Sequence, residues 1–325
     1  MQYIPKILQP KSTYIVEYPE SIALTRRQNS IYWTDDEIEL EKDIQNILVD
    51  MTPAEKHGVI TVLKLFTKYE LAVGNEYWGG RVKEMFKRPD IQRMANCFSF
   101  FELNVHAPFY AKINELLHLA TDEFYNSYTN DPDLVNRMNF IDEALNDKDN
   151  LFSLGVFAMI EGAILYSNFA FLKHFQSQGK NKLINLVAGI NFSVRDENIH
   201  HEGGAWLFRT LLEESRLSPE AREALFAKLH LAAKTLSEHE HRICDMIFEK
   251  GRIEGITSHQ LKNFVDSRID SCLQNLGLNA QFKPQSNPIA EWFYAGITSK
   301  AVIHDFFAKT GNQYVRGWNE TSFAW

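Results

Sequence analysis

Apolar residues recur at three- and four-residue intervals over most of the chain, the spacing of helices that bury one face. From Asp35 onward, Ile38, Leu40, Ile44, Ile47 and Leu48 follow this period. Thr52-Pro53-Ala54-Glu55 has the form of a helix start, with a threonine cap, proline at the first position and glutamate at the third. The helix it opens is expected over 53–80, with Val59, Val62, Leu63, Leu65 and Phe66 turned inward and Gly79-Gly80 ending or bending it. Further helices are expected at about 90–120, 133–147, 150–178, 182–213, 218–248 and 258–276. Asn130-Asp131-Pro132, Ser177-Gln178-Gly179-Lys180 and Leu217-Ser218-Pro219 serve as connections. No long stretch alternates β-branched with polar residues, so an all-α fold is predicted. Residues 1–30, with prolines at 5, 10 and 19, read as an N-terminal arm. Residues 31–309 form the helical domain. The tail 310–325, TGNQYVRGWNETSFAW, lacks helical period and reads as a flexible binding peptide.

Bulk properties narrow the function. Hydrophobic residues make up 45% of the 325, enough for one large core, and charged residues 23%. The net charge of −8 and the lack of a basic cluster argue against nucleic-acid and acidic-membrane partners. Cys97, Cys244 and Cys272 are odd in number and form no CxxC pair, which suits a reducing cytoplasm better than a disulfide framework or zinc ribbon. No run of 18 uninterrupted apolar residues is present, so no membrane span is expected.

The candidate chemistry is carried by acids that stand in apolar helical surroundings. Glu197 and His200, in RDENIH, are three apart and share a helix face. Alone this spacing is a weak signal. Glu102 and His106 lie four apart inside FSFFELNVHAPFY. An acid buried there needs a partner, and a structural acid–histidine pair is the alternative to a metal. Glu161 has only uncharged neighbours in FSLGVFAMIEGAILYSNFAF, on a helix that reads as buried all round. Glu70 is less marked, because Lys68 leaves a surface role open. Jointly, two helices contribute one Glu and two contribute a Glu with a His. That is the ligand set of ferritin-like dinuclear carboxylate proteins, whose four carboxylates balance two divalent cations.

At this point the chain, from about residue 30 to 318, resembles the small, radical-generating subunit of class I ribonucleotide reductase. RDENIH is similar to that family's RDE-x-x-H motif, and Glu161, Glu70 and His106 match further ligand positions. Tyr110, four residues after His106, matches the radical tyrosine, and Trp33 in SIYW the relay tryptophan. Asp196 matches the aspartate linking that tryptophan to a metal-bound histidine. Ser286-Asn287-Pro288 resembles another family segment, and Tyr314, after Asp305-Phe306-Phe307, the interface tyrosine of the tail.

The resemblance implies a ferritin-like four-helix bundle with additional helices and two metal ions, iron ahead of manganese, held by Glu70, Glu102, His106, Glu161, Glu197 and His200. It implies a homodimer in which dioxygen at the metals oxidises Tyr110. The radical equivalent then passes by Trp33 and Tyr314 to a large subunit bound by the tail, for ribonucleoside-diphosphate reduction. The Phe residues near Tyr110 in sequence or resemblance (Phe98, Phe100, Phe101, Phe109, Phe169) are expected to keep its pocket dry. The competing readings are a ferritin-like oxidase without a large subunit and a purely structural helical protein.

Two positions depart from the family. Glu70 stands where it usually has Asp, and a branch with Glu there usually lacks the tyrosine, which this chain keeps. Glu102 and His106 are spaced ExxxH where the family has ExxH, which strictly aligns Leu103 with the ligand. Pro108 lacks an N–H and crowds the carbonyl of Asn104. A one-residue π-bulge is therefore expected between Glu102 and His106, turning Glu102 back toward the metals.

Overall fold

The computed structural model describes residues 3–298, so Tyr314 and the 310–325 tail lie outside the described residues. Among the described residues the chain is helical, with no strand beyond one isolated bridge between Ile253 and Ile256. Nine longer helices carry the fold among the described residues. α1 is Pro19–Ser30. α2 runs over 53–85, with a π stretch at Ala72–Val82. α3 runs over 89–116, with a π-turn at Glu102–His106. α4 is Pro132–Leu145. α5 covers 150–173, with a π-turn at Ile160–Ile164. α6 is Ile184–Glu214, α7 Pro219–Ile247, α8 Ser258–Asn275 and α9 Pro288–Thr298.

α2, α3, α5 and α6 form the central bundle, with α1 laid on α3 and α7 and α8 closing the other side. Local chemistry starts these helices. Thr52 and Glu55 form the expected capping box, Thr52 Oγ1 accepting from Glu55 N (3.2 Å) and Glu55 Oε2 from Thr52 N (2.8 Å). Asp149 caps α5, and Ser218 caps α7.

Several expected bounds change. Residues 35–50, whose period suggests a helix, instead make two 3₁₀ turns and a π-turn. Asp43 is turned inward there and caps a distant helix: its Oδ2 accepts from Leu186 N at the start of α6 (2.6 Å). Gly79-Gly80 does not end α2, whose π stretch passes through both. The N-terminal arm is tied down, because Ile7 N and Tyr18 Oη both donate to Glu214 and α1 buries Ile22, Leu24 and Gln28. α9 lies where no helix is expected. Residues 150–176 are long and apolar enough to cross a membrane by length and composition, but their most apolar stretch is wholly buried in the bundle.

Candidate metal centre

Each central helix delivers carboxylates to one point in the bundle. α6 is continuous, so Glu197 and His200 share a face by ordinary i,i+3 spacing. On α3 the spacing is four, and there the helix widens. Ala107 N donates to Glu102 O, five residues back, and this adds one residue to the turn that ends before Pro108. Glu102 thereby takes the direction that a residue three before His106 has on a regular helix. Its Oε2 lies 2.9 Å from His106 Nδ1, and its Oε1 2.5 Å from His200 Nδ1. Glu161 sits in the π-turn of α5, and Glu70 one residue before the end of the regular part of α2. Glu70 is buried, which removes the surface role that Lys68 suggested.

The six side chains form two overlapping groups. Glu70, Glu102, His106 and Glu197 offer one set of ligand atoms within 4.8 Å of one another, and Glu102, Glu161, Glu197 and His200 the other. Each group has one imidazole and one carboxylate of its own, and Glu102 and Glu197 belong to both. Glu70 Oε1 and His200 Nε2 are buried without a hydrogen-bond partner, and Glu102 Oε1 and His200 Nδ1 face each other. Lone pairs that converge without hydrogen-bond geometry, on oxygen and imidazole donors whose formal charges sum to −4, fit two divalent cations.

Without cations, protons share out the charge. Burial, then the charge of Glu102, pushes Glu70 well above the usual carboxylate range. Burial, then Glu197 and Glu102, does the same to Glu161. For Glu102 burial is outweighed by the positive charges of His106 and His200, which hold it well below that range. Burial would lower the two imidazoles, but Glu102 and the surrounding acceptors win. His106 is pushed well up and His200 to about 9. Both imidazoles are thus drawn toward their protonated forms, and a cation must displace those protons. Anaerobic loading at pH 7 is expected to release at least two protons per chain, those of His106 and His200. Affinity should rise with pH, the His200 part levelling off near pH 9. Calorimetry in two buffers of different ionisation enthalpy measures this; identical heats would contradict it.

A second layer holds the donors. Asp196 Oδ2 accepts from Trp33 Nε1 (2.8 Å) and from His106 Nε2 (3.1 Å), while Oδ1 accepts from Gln28 Nε2 (2.7 Å). Because a carboxylate oxygen accepts, the His106 Nε2 proton points to Asp196 and Nδ1 faces the cluster. Trp78 Nε1 donates to Glu161 Oε1 (2.7 Å). Tyr110 is buried and donates to Ser193 Oγ (3.1 Å); burial, then the charge of Glu70, raises it well above the usual phenol range.

The Phe pocket differs from the expected one. Phe66 stacks on Tyr110 at 4.2 Å between ring centroids, with Phe109 beside the tyrosine and Phe169 behind Phe66. Phe98 packs instead on Trp78 and His200, Phe101 packs on Tyr32, and Phe100 is exposed. Sequence reasoning also missed Gln28, Trp78 and Ser193. Only Trp78 carried a signal, since a buried indole N–H needs an acceptor.

Residues 11–288 match the profile of the family described as ribonucleotide reductase, small chain. The probable ribonucleoside-diphosphate reductase small subunit 048L of Invertebrate iridescent virus 3 is 22% identical over 308 residues, covering 87% of this chain and 79% of its own length. Among solved structures, a putative class I ribonucleotide reductase from Bacillus halodurans superposes with TM-score 0.76 at 21% identity, covering 86% of this chain and 99% of its own. The dimanganese(II)-NrdF of Streptococcus sanguinis gives 0.71 at 20% identity, covering 89% and 99%.

Proposed function

Because the chain belongs to the ribonucleotide reductase small-chain family, we propose that it is the radical-generating partner of a class I ribonucleoside-diphosphate reductase, working as a homodimer in the cytoplasm. In this reading Glu70, Glu102, His106, Glu161, Glu197 and His200 hold two iron or manganese ions. The observation that carries it is Asp196, which joins buried Trp33 to the histidine of one donor group through a single oxygen. A bundle that only stored metal would gain nothing from an indole wired to its ligand.

Glu70, Glu102, His106, Glu161, Glu197 and His200 would hold the ions, and the chemistry supplied there would be the reduction of dioxygen. The protein does the rest. Tyr110 would give one electron and its phenolic proton to the reduction of dioxygen, while Ser193 Oγ accepts its hydrogen bond and orients the phenol. Phe66, stacked on its face, and Phe109 exclude water that would quench the phenoxyl. Trp33 relays the oxidising equivalent, its indole N–H held by Asp196. Tyr314, outside the described residues, passes it on to a cysteine of the large subunit, which residues 310–325 bind.

The test combines aerobically loaded protein with a class I large subunit and follows deoxyribonucleotide formation together with paramagnetic resonance. Tyr110→Phe is expected to keep both metals, lose the tyrosyl signal and bring turnover to background. An unchanged signal would move the radical off Tyr110. Removing 310–325 should leave metals and radical intact and stop turnover. Turnover that survived the deletion would end the large-subunit reading and favour a stand-alone oxidase.

A further inference from the structure

Arg268, on α8, is buried in the wall behind the metal centre, and among the described residues no carboxylate pairs with it. A guanidinium in such a place is costly unless its donors and charge are met, and an apolar side chain would serve packing better. What Arg268 does hold is specific. Its Nε donates to Gly162 O (3.0 Å), and its Nη1 to Tyr294 Oη on α9 (2.9 Å). The guanidinium lies 3.9 Å over the ring of Tyr166.

Gly162 follows Glu161 in the π-turn of α5. The turn is wedged between α8 and α6: a Cβ on Gly162 would lie 2.4 Å from Cys272 Sγ and 2.5 Å from His201 Nδ1. Cys272 is one turn along α8 from Arg268, so both face the turn. A π-turn departs from the regular helical ladder, and an outside donor on one of its carbonyls sets how it sits. Moving Gly162 O moves Glu161.

The other end of the contact is α9. Phe293 is buried against Phe264 and Tyr166, and its carbonyl accepts from Lys173 Nζ (3.0 Å). α9 is the last described helix, and the chain runs from it into residues 299–325. Tyr294 shares its cation with the turn that carries Glu161.

We infer that Arg268 is a positioning residue that sets Glu161 through the Gly162 carbonyl and makes that setting depend on the docking of α9 through Tyr294. The inference rests on reading the six-residue cluster as a metal centre. It adds that the group containing Glu161 and His200 answers to the C-terminal helix, while the group containing Glu70 and His106 does not.

The test is an anaerobic titration of the full chain with manganese(II), followed by paramagnetic resonance, with circular dichroism as a check on folding. Wild type should bind two ions that couple magnetically. In Arg268→Gln the second ion should bind about 10-fold more weakly, the scale of losing support behind a ligand. An isolated six-line signal should then appear at one equivalent. Tyr294→Phe, which keeps every ring contact, should weaken the same ion by a smaller factor. An Arg268→Gln titration like wild type, or equal weakening of both ions, overturns the inference. So does Tyr294→Phe with unaltered affinity, and that variant decides the matter if Arg268→Gln does not fold. A wild type that binds no manganese(II), iron(II) or other divalent ion would instead remove the metal-centre reading.

Discussion

Glu102→Ala is expected to bind neither metal ion, whereas Glu161→Ala keeps about one, since one donor group survives there with its imidazole. The difference comes from sharing. Glu102 supplies a carboxylate oxygen to both groups, and Glu161 to one. Two effects compete in Glu102→Ala. Removing its charge lets His106 and His200 release their protons more readily, which favours metal binding. Against this, both sites lose an anionic ligand, and three carboxylates no longer balance two divalent ions. Ligand loss wins, because imidazole protons cost only what the pH sets while a missing carboxylate cannot be replaced. Metal analysis after anaerobic loading reads the result, and two ions per chain in Glu102→Ala would defeat the shared-ligand assignment.

Metal-free protein should respond in the opposite sense at Glu161. Burial and the neighbouring acids raise its pKa in the folded chain. A raised acid is a stability cost that appears as pH climbs above the unfolded value and grows until pH passes the folded one. Glu161→Gln keeps an oxygen for Trp78 Nε1 and removes that cost. Its metal-free Tm at pH 7 should rise by at least about 2 °C, the response of a large domain to roughly 1 kcal/mol. The site is thus a place where the apo fold gives up stability for binding.

How much of this was legible follows the helix geometry. Glu197 and His200 lie on an unbroken α-helix, so plain spacing finds their shared face. Glu161 is legible for another reason: a lone acid in a fully apolar run has no structural account. Glu102 is the instructive case. On a regular helix it still shares a face with His106, but it stands one residue off the family's ExxH spacing, and only the carbonyl clash of Pro108 pointed to the wider turn that the structure contains. The same limit explains the Phe residues. Phe98 and Phe101 are near Tyr110 in sequence, but the π-turn between them and the tyrosine rotates them to other neighbours. Asp43 was not legible at all, because its partner at the start of α6 is 143 residues away and nothing local marks it. α9 did carry a start signal in Asn287-Pro288, where Asn287 Oδ1 accepts from Ala290 N.

Asp196→Asn should uncouple the two halves of the site while leaving its shape intact. Asp196 receives three donors: Gln28 Nε2 on one oxygen, Trp33 Nε1 and His106 Nε2 on the other. An asparagine has one oxygen, so its amide N–H must face at least one of those donors. If it faces Gln28, that side-chain amide can turn its own oxygen inward, and the indole and imidazole bonds survive. The unpartnered Gln28 Oε1 makes this flip available. The flip brings no charge, however, and an N–H bond to a neutral oxygen is roughly half as strong as one to a carboxylate. If the amide faces His106 instead, Nε2 becomes the acceptor, the ring proton moves to Nδ1, and the nitrogen that faces the cluster can no longer bind a cation. In either arrangement His106 loses the charge that orients it. Metal affinity at the group containing Glu70 and His106 should fall about 10- to 100-fold, as for other losses behind a ligating histidine. Turnover with a large subunit should fall further than metal loss explains, because Trp33 loses its charged acceptor. Titration with manganese(II) reads the first effect, and turnover per bound metal pair the second. Wild-type values for both would show that Asp196 serves packing alone.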